Sequence, residues 1–199
     1  QEVVSIIGHD KRIGSHYWYP GFGYGGSCFP KDVAELAAYS RSVGLENNLF
    51  NKLDQLNHDR IPQLLAKIGK KVGGWSGRHV AVLGLSFKPH TDDMRVAPSI
   101  ATIEYLLQAG AHVSGYDPMA IPIAHHFIKE HENLKYTPSI EEATQGAEVI
   151  FALIEWPEIL GFDFAQVHSS TEEQWFIDAR NQFSAENLEK MGYNYIGIG

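Results

Sequence analysis

Gly69-Lys70-Lys71-Val72-Gly73-Gly74-Trp75-Ser76-Gly77, followed at once by His79-Val80-Ala81-Val82-Leu83-Gly84, decides the fold of this chain. The first stretch is glycine-punctuated and has no sustained apolar period, which marks a connection. The second is a short apolar run closed by glycine, the signature of a buried strand that opens a new unit. Downstream, further strands are expected at 112–116, 134–137, 148–153, 174–178 and 193–197. Helices are expected between them at 98–109, 120–131, 139–145 and 184–191. Strands that alternate with helices predict a parallel sheet, which binds ligands at the carboxyl ends of its strands. Upstream, Leu49, Leu53, Leu56, Leu64, Leu65 and Ile68 recur at helical spacing over 47–70, with Pro62 marking a bend or boundary. That stripe suits packing against another helix or subunit. The expected class is α/β: a helical segment at 1–70, a linker at 71–77 and a Rossmann-like parallel-sheet domain of about six strands at 78–199.

The chain has 199 residues, 44% of them hydrophobic, enough for a substantial core. Sixteen Lys and Arg interspersed with 24 Asp and Glu leave a net charge of −8, which argues against a nucleic-acid partner. No apolar run reaches membrane-spanning length, and the first residues do not form a signal peptide. A single cysteine beside a metabolic-looking site favours the cytoplasm. Residues 1–20 read as the end of a helix followed by an irregular segment. The crowded Val3, Val4, Ile6 and Ile7 suggest a start inside a larger domain.

Cys28 lies in Tyr24-Gly25-Gly26-Ser27-Cys28-Phe29-Pro30-Lys31-Asp32. With no second thiol, the choices are a buried filler or a reactive nucleophile. Glycines at 21, 23, 25 and 26 carry no side chains to pack, and Pro30 suits the first turn of a helix. The thiol would then stand at a helix N-terminus, where backbone N–H groups favour a thiolate, with Lys31 adding positive charge. These neighbours favour the nucleophile. Asp32 can orient a proton, a water or the lysine.

The segment Tyr24 to Asp32 closely resembles the active-site segment of the UDP-glucose/GDP-mannose dehydrogenase family. The resemblance implies that Cys28 attacks an aldehyde made by a first hydride transfer to NAD. A second transfer then leaves a thioester, which water hydrolyses to a uronic acid. It implies Asp32 as the carboxylate that assists thiol and water, and Lys31 as a residue toward the NAD cofactor. Tyr24 and Gly25 become substrate contacts. The match continues in Gly84-Leu85-Ser86-Phe87-Lys88-Pro89 and Thr91-Asp92-Asp93-Met94-Arg95, implying Phe87 and Lys88 as substrate contacts and Arg95 as a contact to NAD. Arg12 in Arg-Ile-Gly is implied to reach the substrate of a neighbouring subunit in a homodimer, with Tyr17 and Trp18 beside the substrate. Tyr116-Asp117-Pro118, Glu155-Trp156 and Asp178-Ala179-Arg180-Asn181 extend the match, with structural service expected of their polar residues.

No strand followed by Gly-x-Gly-x-x-Gly and a helix occurs, so the main NAD fingerprint is absent. The resemblance implies that a preceding N-terminal NAD-binding domain, with a catalytic lysine and asparagine, is required for activity. His125, His126 and His131 lack a zinc pattern, and no metal is expected. Cys28-Phe29-Pro30 and Thr-Asp-Asp-Met-Arg favour UDP-glucose as substrate, with UDP-N-acetylhexosamines and GDP-mannose as alternatives. A non-catalytic nucleotide-sugar-binding and dimerisation fragment is a further reading. An unrelated cysteine hydrolase would need His9, His16 or His58 beside the thiol.

Overall fold

The computed structural model describes residues 2–14, 20–168 and 173–198. Helix α1 (Glu2–Ile7) precedes the glycine-rich segment, and α2 (Phe29–Ser42) and α3 (Leu49–Val72) pack against each other. Six strands follow: β1 (His79–Leu83), β2 (His112–Tyr116), β3 (Leu134–Tyr136), β4 (Val149–Ala152), β5 (Trp175–Asp178) and β6 (Asn194–Gly197). Between them run α4 (Pro98–Gln108), α5 (Ile121–Ala124), α6 (Ile140–Thr144), α7 (Pro157–Leu160), a 3-10 turn at Phe164–Gln166 and α8 (Ala185–Lys190).

All strand pairs are parallel, in the order β3-β2-β1-β4-β5-β6. Val80 stands opposite Val113 on one side and Val149 on the other, so β1 and β4 form the centre. Both are buried almost throughout, as a sheet covered on two faces requires. The chain moves outward from β1 through β2 to β3, then returns to β4 and moves the other way. The carboxyl ends of β1 and β4 therefore form the switch point, where such sheets open a crevice.

Helix α3 joins the helical segment to the sheet. Its Ile61, Leu65, Ile68 and Val72, at helical spacing, are buried. Trp75 donates from Nε1 to the Leu65 carbonyl at 3.2 Å and lays its ring near Phe151 of β4, while Phe22 meets Phe151 edge-on. The helix runs unbroken through Pro62 and continues to Val72, so the connection is shorter than the expected 71–77. Gly73, at φ 81°, takes the left-handed cap and Gly74 N donates to the Gly69 carbonyl, closing the last turn.

The expected helix at 120–131 is cut to α5. His126 N and Phe127 N bond back three residues to the Ile123 and Ala124 carbonyls, tightening the chain into turns. Helix α7 and the 3-10 turn arise within what reads as connection, each started by a residue with extended backbone, Trp156 and Asp163.

Candidate active-site cleft

The glycine-rich segment is gripped from two sides. Asn57 of α3 accepts from Tyr24 N at 2.9 Å with Oδ1 and donates from Nδ2 to the Tyr24 carbonyl at 3.0 Å, copying a strand pairing with one side chain. One turn on, Arg60 Nε donates to the Gly21 carbonyl at 2.8 Å. On the other side, Gly26 N donates to the Arg95 carbonyl at 3.0 Å. A methyl group at Gly25 would run into the Val96 carbonyl oxygen, and one at Gly26, where φ is +89°, would meet the Phe87 ring at 2.8 Å. Only glycine permits this close approach of two loops. Val96 itself sits at φ 52°, a costly conformation for a β-branched residue and one that concentrates at functional sites.

Cys28 is exposed and forms the N-cap of α2, with Pro30 in the first turn. Ser27 Oγ lies 3.7 Å from its sulfur. Among the described residues no imidazole hydrogen-bonds the thiol: His9 contacts the Ser5 carbonyl, and His58 lies 3.8 Å from Asp54. Asp32 pairs with Lys31 at 3.0 Å, and this contact raises the lysine's pKa, so Asp32 orients the lysine. Arg95 is exposed and makes a two-pronged pair with Asp93, with distances of 3.0 and 2.7 Å. The pair holds the aspartate below its usual range and lifts the arginine further.

Asp117, at the end of β2, is 2% exposed. Its Oδ2 accepts from Leu85 N at 2.7 Å, Ser86 N at 3.0 Å and Trp156 Nε1 at 3.2 Å. Its Oδ1 accepts from Met119 N and Ala120 N, both at 2.8 Å. Ser86 Oγ stands 3.1 Å from the same carboxylate and 3.0 Å from the Lys88 carbonyl. The acid thus fastens the loop that carries Phe87 and Lys88. Lys88 Nζ rests 5.3 Å over the Phe87 ring.

These loops enclose a cleft of about 1530 Å³ at the carboxyl ends of β1, β4 and β5. Tyr24, Gly25, Phe87 and Lys88 are among its lining residues, and Phe29 brings the wall to the residue beside Cys28. Among the described residues the buried Tyr24 hydroxyl finds no hydrogen-bond partner, and burial followed by the Asp54 charge raises its pKa. Asn57, Arg60, Gln63, Lys67, Glu155 and Arg180 also line the cleft, and sequence reading gave none of them a site role. The Asp-x-Arg-Asn and Glu-Trp segments were the available signals for two. The lining residues include four cations, Arg60, Lys67, Lys88 and Arg180, and one carboxylate, Glu155, whose Oε2 is 3.0 Å from Arg180 Nε. In a chain of net charge −8, a crevice lined by four of the sixteen Lys and Arg and one acid suits an anionic ligand. Arg12 is not a lining residue; it pairs with Asp10 at 2.7 Å and is 89% exposed. Tyr17, Trp18 and His16 lie outside the described residues. Among the described residues, no three His, Cys, Asp or Glu side chains are grouped to hold a metal ion, and no helix is long and apolar enough to cross a membrane.

Residues 81–185 match the model for the UDP binding domain of the UDP-glucose/GDP-mannose dehydrogenase family, and residues 1–59 match that family's central domain. The chain belongs to the UDP-glucose/GDP-mannose dehydrogenase family. Its family is one of NAD-dependent nucleotide-sugar dehydrogenases. Among relatives, UDP-glucose 6-dehydrogenase YwqF of Bacillus subtilis is 36% identical over the whole chain, which covers 45% of that protein. A UDP-glucose dehydrogenase structure from Pyrobaculum islandicum superposes with a TM-score of 0.81 at 31% identity, covering all of this chain and 42% of the other. A UDP-D-ManNAc dehydrogenase structure from Pyrococcus horikoshii gives 0.73 at 25% identity, covering 99% and 43%. The chain spans less than half the length of the curated relatives it matches.

The family's cofactor, NAD, does not fit the first βα turn of this sheet. In a dinucleotide fold that turn offers its N–H groups to the pyrophosphate, and the acid ending β2 meets a ribose. Here Asp117 turns inward and takes the Leu85 and Ser86 N–H groups for itself. Lys31, in the first turn of α2, and Arg95, on the loop whose carbonyl meets Gly26, are both exposed and each paired with an aspartate.

Proposed function

We propose that this chain supplies the nucleotide-sugar site and the nucleophile of an NAD-dependent UDP-glucose 6-dehydrogenase. The observation that carries the reading is the cationic cleft whose wall continues through Phe29 to the exposed thiol of Cys28. Lys88 and Arg180 meet the diphosphate as a point charge and a planar donor fork, and Tyr24, Gly25 and Phe87 shape the wall beside the sugar.

Two NAD equivalents, bound in turn, would each accept one hydride as the C6 alcohol is taken to the carboxylic level. The Cys28 sulfur adds to the aldehyde carbon, forming a C–S bond that survives the second oxidation as a thioester. Water then breaks that bond, giving the carboxylate and the free thiol. Asp32, with its lysine partner, orients that water, and backbone N–H groups at the start of α2 face the carbonyl oxygen's developing charge. Lys31 and Arg95 would hold the cofactor from this side. Arg12, exposed away from its own cleft, serves the cleft of a second copy. Leu36, Tyr39, Leu49 and Leu56, exposed on α2 and α3, suit the contact that makes such a homodimer, working in the cytoplasm. Without a cofactor domain, the chain by itself binds nucleotide and turns over nothing.

Titration calorimetry of this chain with UDP tests the site. UDP binds, and Lys88→Ala and Arg180→Ala each weaken it about tenfold, the worth of a charge-assisted contact. Failure of UDP to bind overturns the reading. Tighter binding of GDP would transfer the site to a GDP-sugar.

A further inference from the structure

The Glu155–Arg180 pair poses an electrostatic question inside the cleft. A carboxylate among four cations weakens the attraction for a phosphate. It nevertheless lines the anion-collecting crevice, 3.0 Å from Arg180 Nε, with both side chains largely buried at 18% and 14% exposure. The surroundings fix both ends of the pair. Glu155 precedes Trp156, whose indole is tied to Asp117 and Ser86. Arg180 N donates to Asp178 Oδ1 at 3.0 Å, and a methyl group at Gly21 would meet Arg180 Nη1 at 2.7 Å, so the guanidinium lies close against Gly21. Its neighbour Asn181 is held at φ 51° by a double contact to Ile198, at 2.5 and 2.8 Å.

An unrestrained arginine loses considerable rotamer freedom when it grips a ligand, and a partner that orders it beforehand removes that loss. We propose that Glu155 is a positioning residue that aims Arg180 at the diphosphate of the nucleotide sugar; this rests on the nucleotide-sugar reading of the cleft. Simple repulsion and positioning predict opposite signs when the carboxylate is removed.

The experiment is a double-mutant cycle on this chain, read as UDP affinity by calorimetry, with thermal unfolding as the check on folding. Glu155→Ala weakens UDP about tenfold and the isosteric Glu155→Gln about threefold, because glutamine keeps the side chain's bulk and dipole against the guanidinium without its charge. In an Arg180→Ala background the same two changes no longer weaken UDP. Tighter or unchanged binding in the single variants shows that Glu155 only repels, and overturns the proposal. Equal weakening with and without Arg180 shows a general structural role, and overturns it too. If Glu155→Ala does not fold, Glu155→Gln carries the same comparison. Absence of UDP binding by the unaltered chain defeats the nucleotide reading and this inference with it.

Discussion

Cys28→Ala in the intact enzyme is expected to abolish net oxidation of UDP-glucose, lowering turnover by more than about 1000-fold, because no other thiol in this chain can carry the acyl group. UDP affinity is expected to stay within about twofold, since the sulfur lies beyond the residues that line the nucleotide cleft. NADH formation followed by absorbance, with UDP titration beside it, separates the two effects. Full turnover in the alanine variant would remove the thiol from the chemistry. Weakened UDP binding of the same size as the loss of turnover would make Cys28 a binding residue.

The second large effect is on stability. Asp117→Ala leaves four backbone N–H donors on the β1 loop and the α5 approach without their acceptor, and Trp156 Nε1 with Ser86 Oγ alone. A buried donor without a partner costs about 1–3 kcal/mol, and a collapsing loop recovers part of that by admitting water. The expected net loss is about 3–5 kcal/mol, a fall of about 2 M in the urea midpoint. Asp117→Asn keeps one oxygen and is expected to lose less. Because Phe87 and Lys88 ride on that loop, UDP affinity should fall in both variants before unfolding begins. A loss below about 1 kcal/mol in Asp117→Ala would show that the loop holds its shape without the carboxylate.

What the sequence disclosed follows the range of the interactions. The strands β1, β4 and β5 are short, mostly apolar runs, so local pattern suffices to place them. Cys28 at the head of α2 was equally local, set by Pro30 and the glycines before it. Helix α5 was read too long because its apolar spacing continues where the backbone tightens into turns. The cleft's remaining residues were hidden for another reason. Asn57 meets Tyr24 across 33 positions and Arg60 meets Gly21 across 39, and nothing near either residue signals its partner. Asp117 read as a loop residue, and it is one; its reach to Leu85 and Trp156 depends on β1, β2 and β4 being neighbours. Glu155 and Arg180 lay in recognised segments, yet their joint position in the cleft required the carboxyl ends of β4 and β5 to be side by side.

The most direct test of the acyl-carrying role is to quench the intact enzyme with acid during turnover of UDP-glucose and NAD, then weigh the peptide that contains Cys28. A mass increase equal to the nucleotide-linked uronyl group, on that peptide alone and discharged by hydroxylamine, is the predicted result. An unmodified peptide throughout turnover, together with undiminished activity of Cys28→Ala, would contradict it.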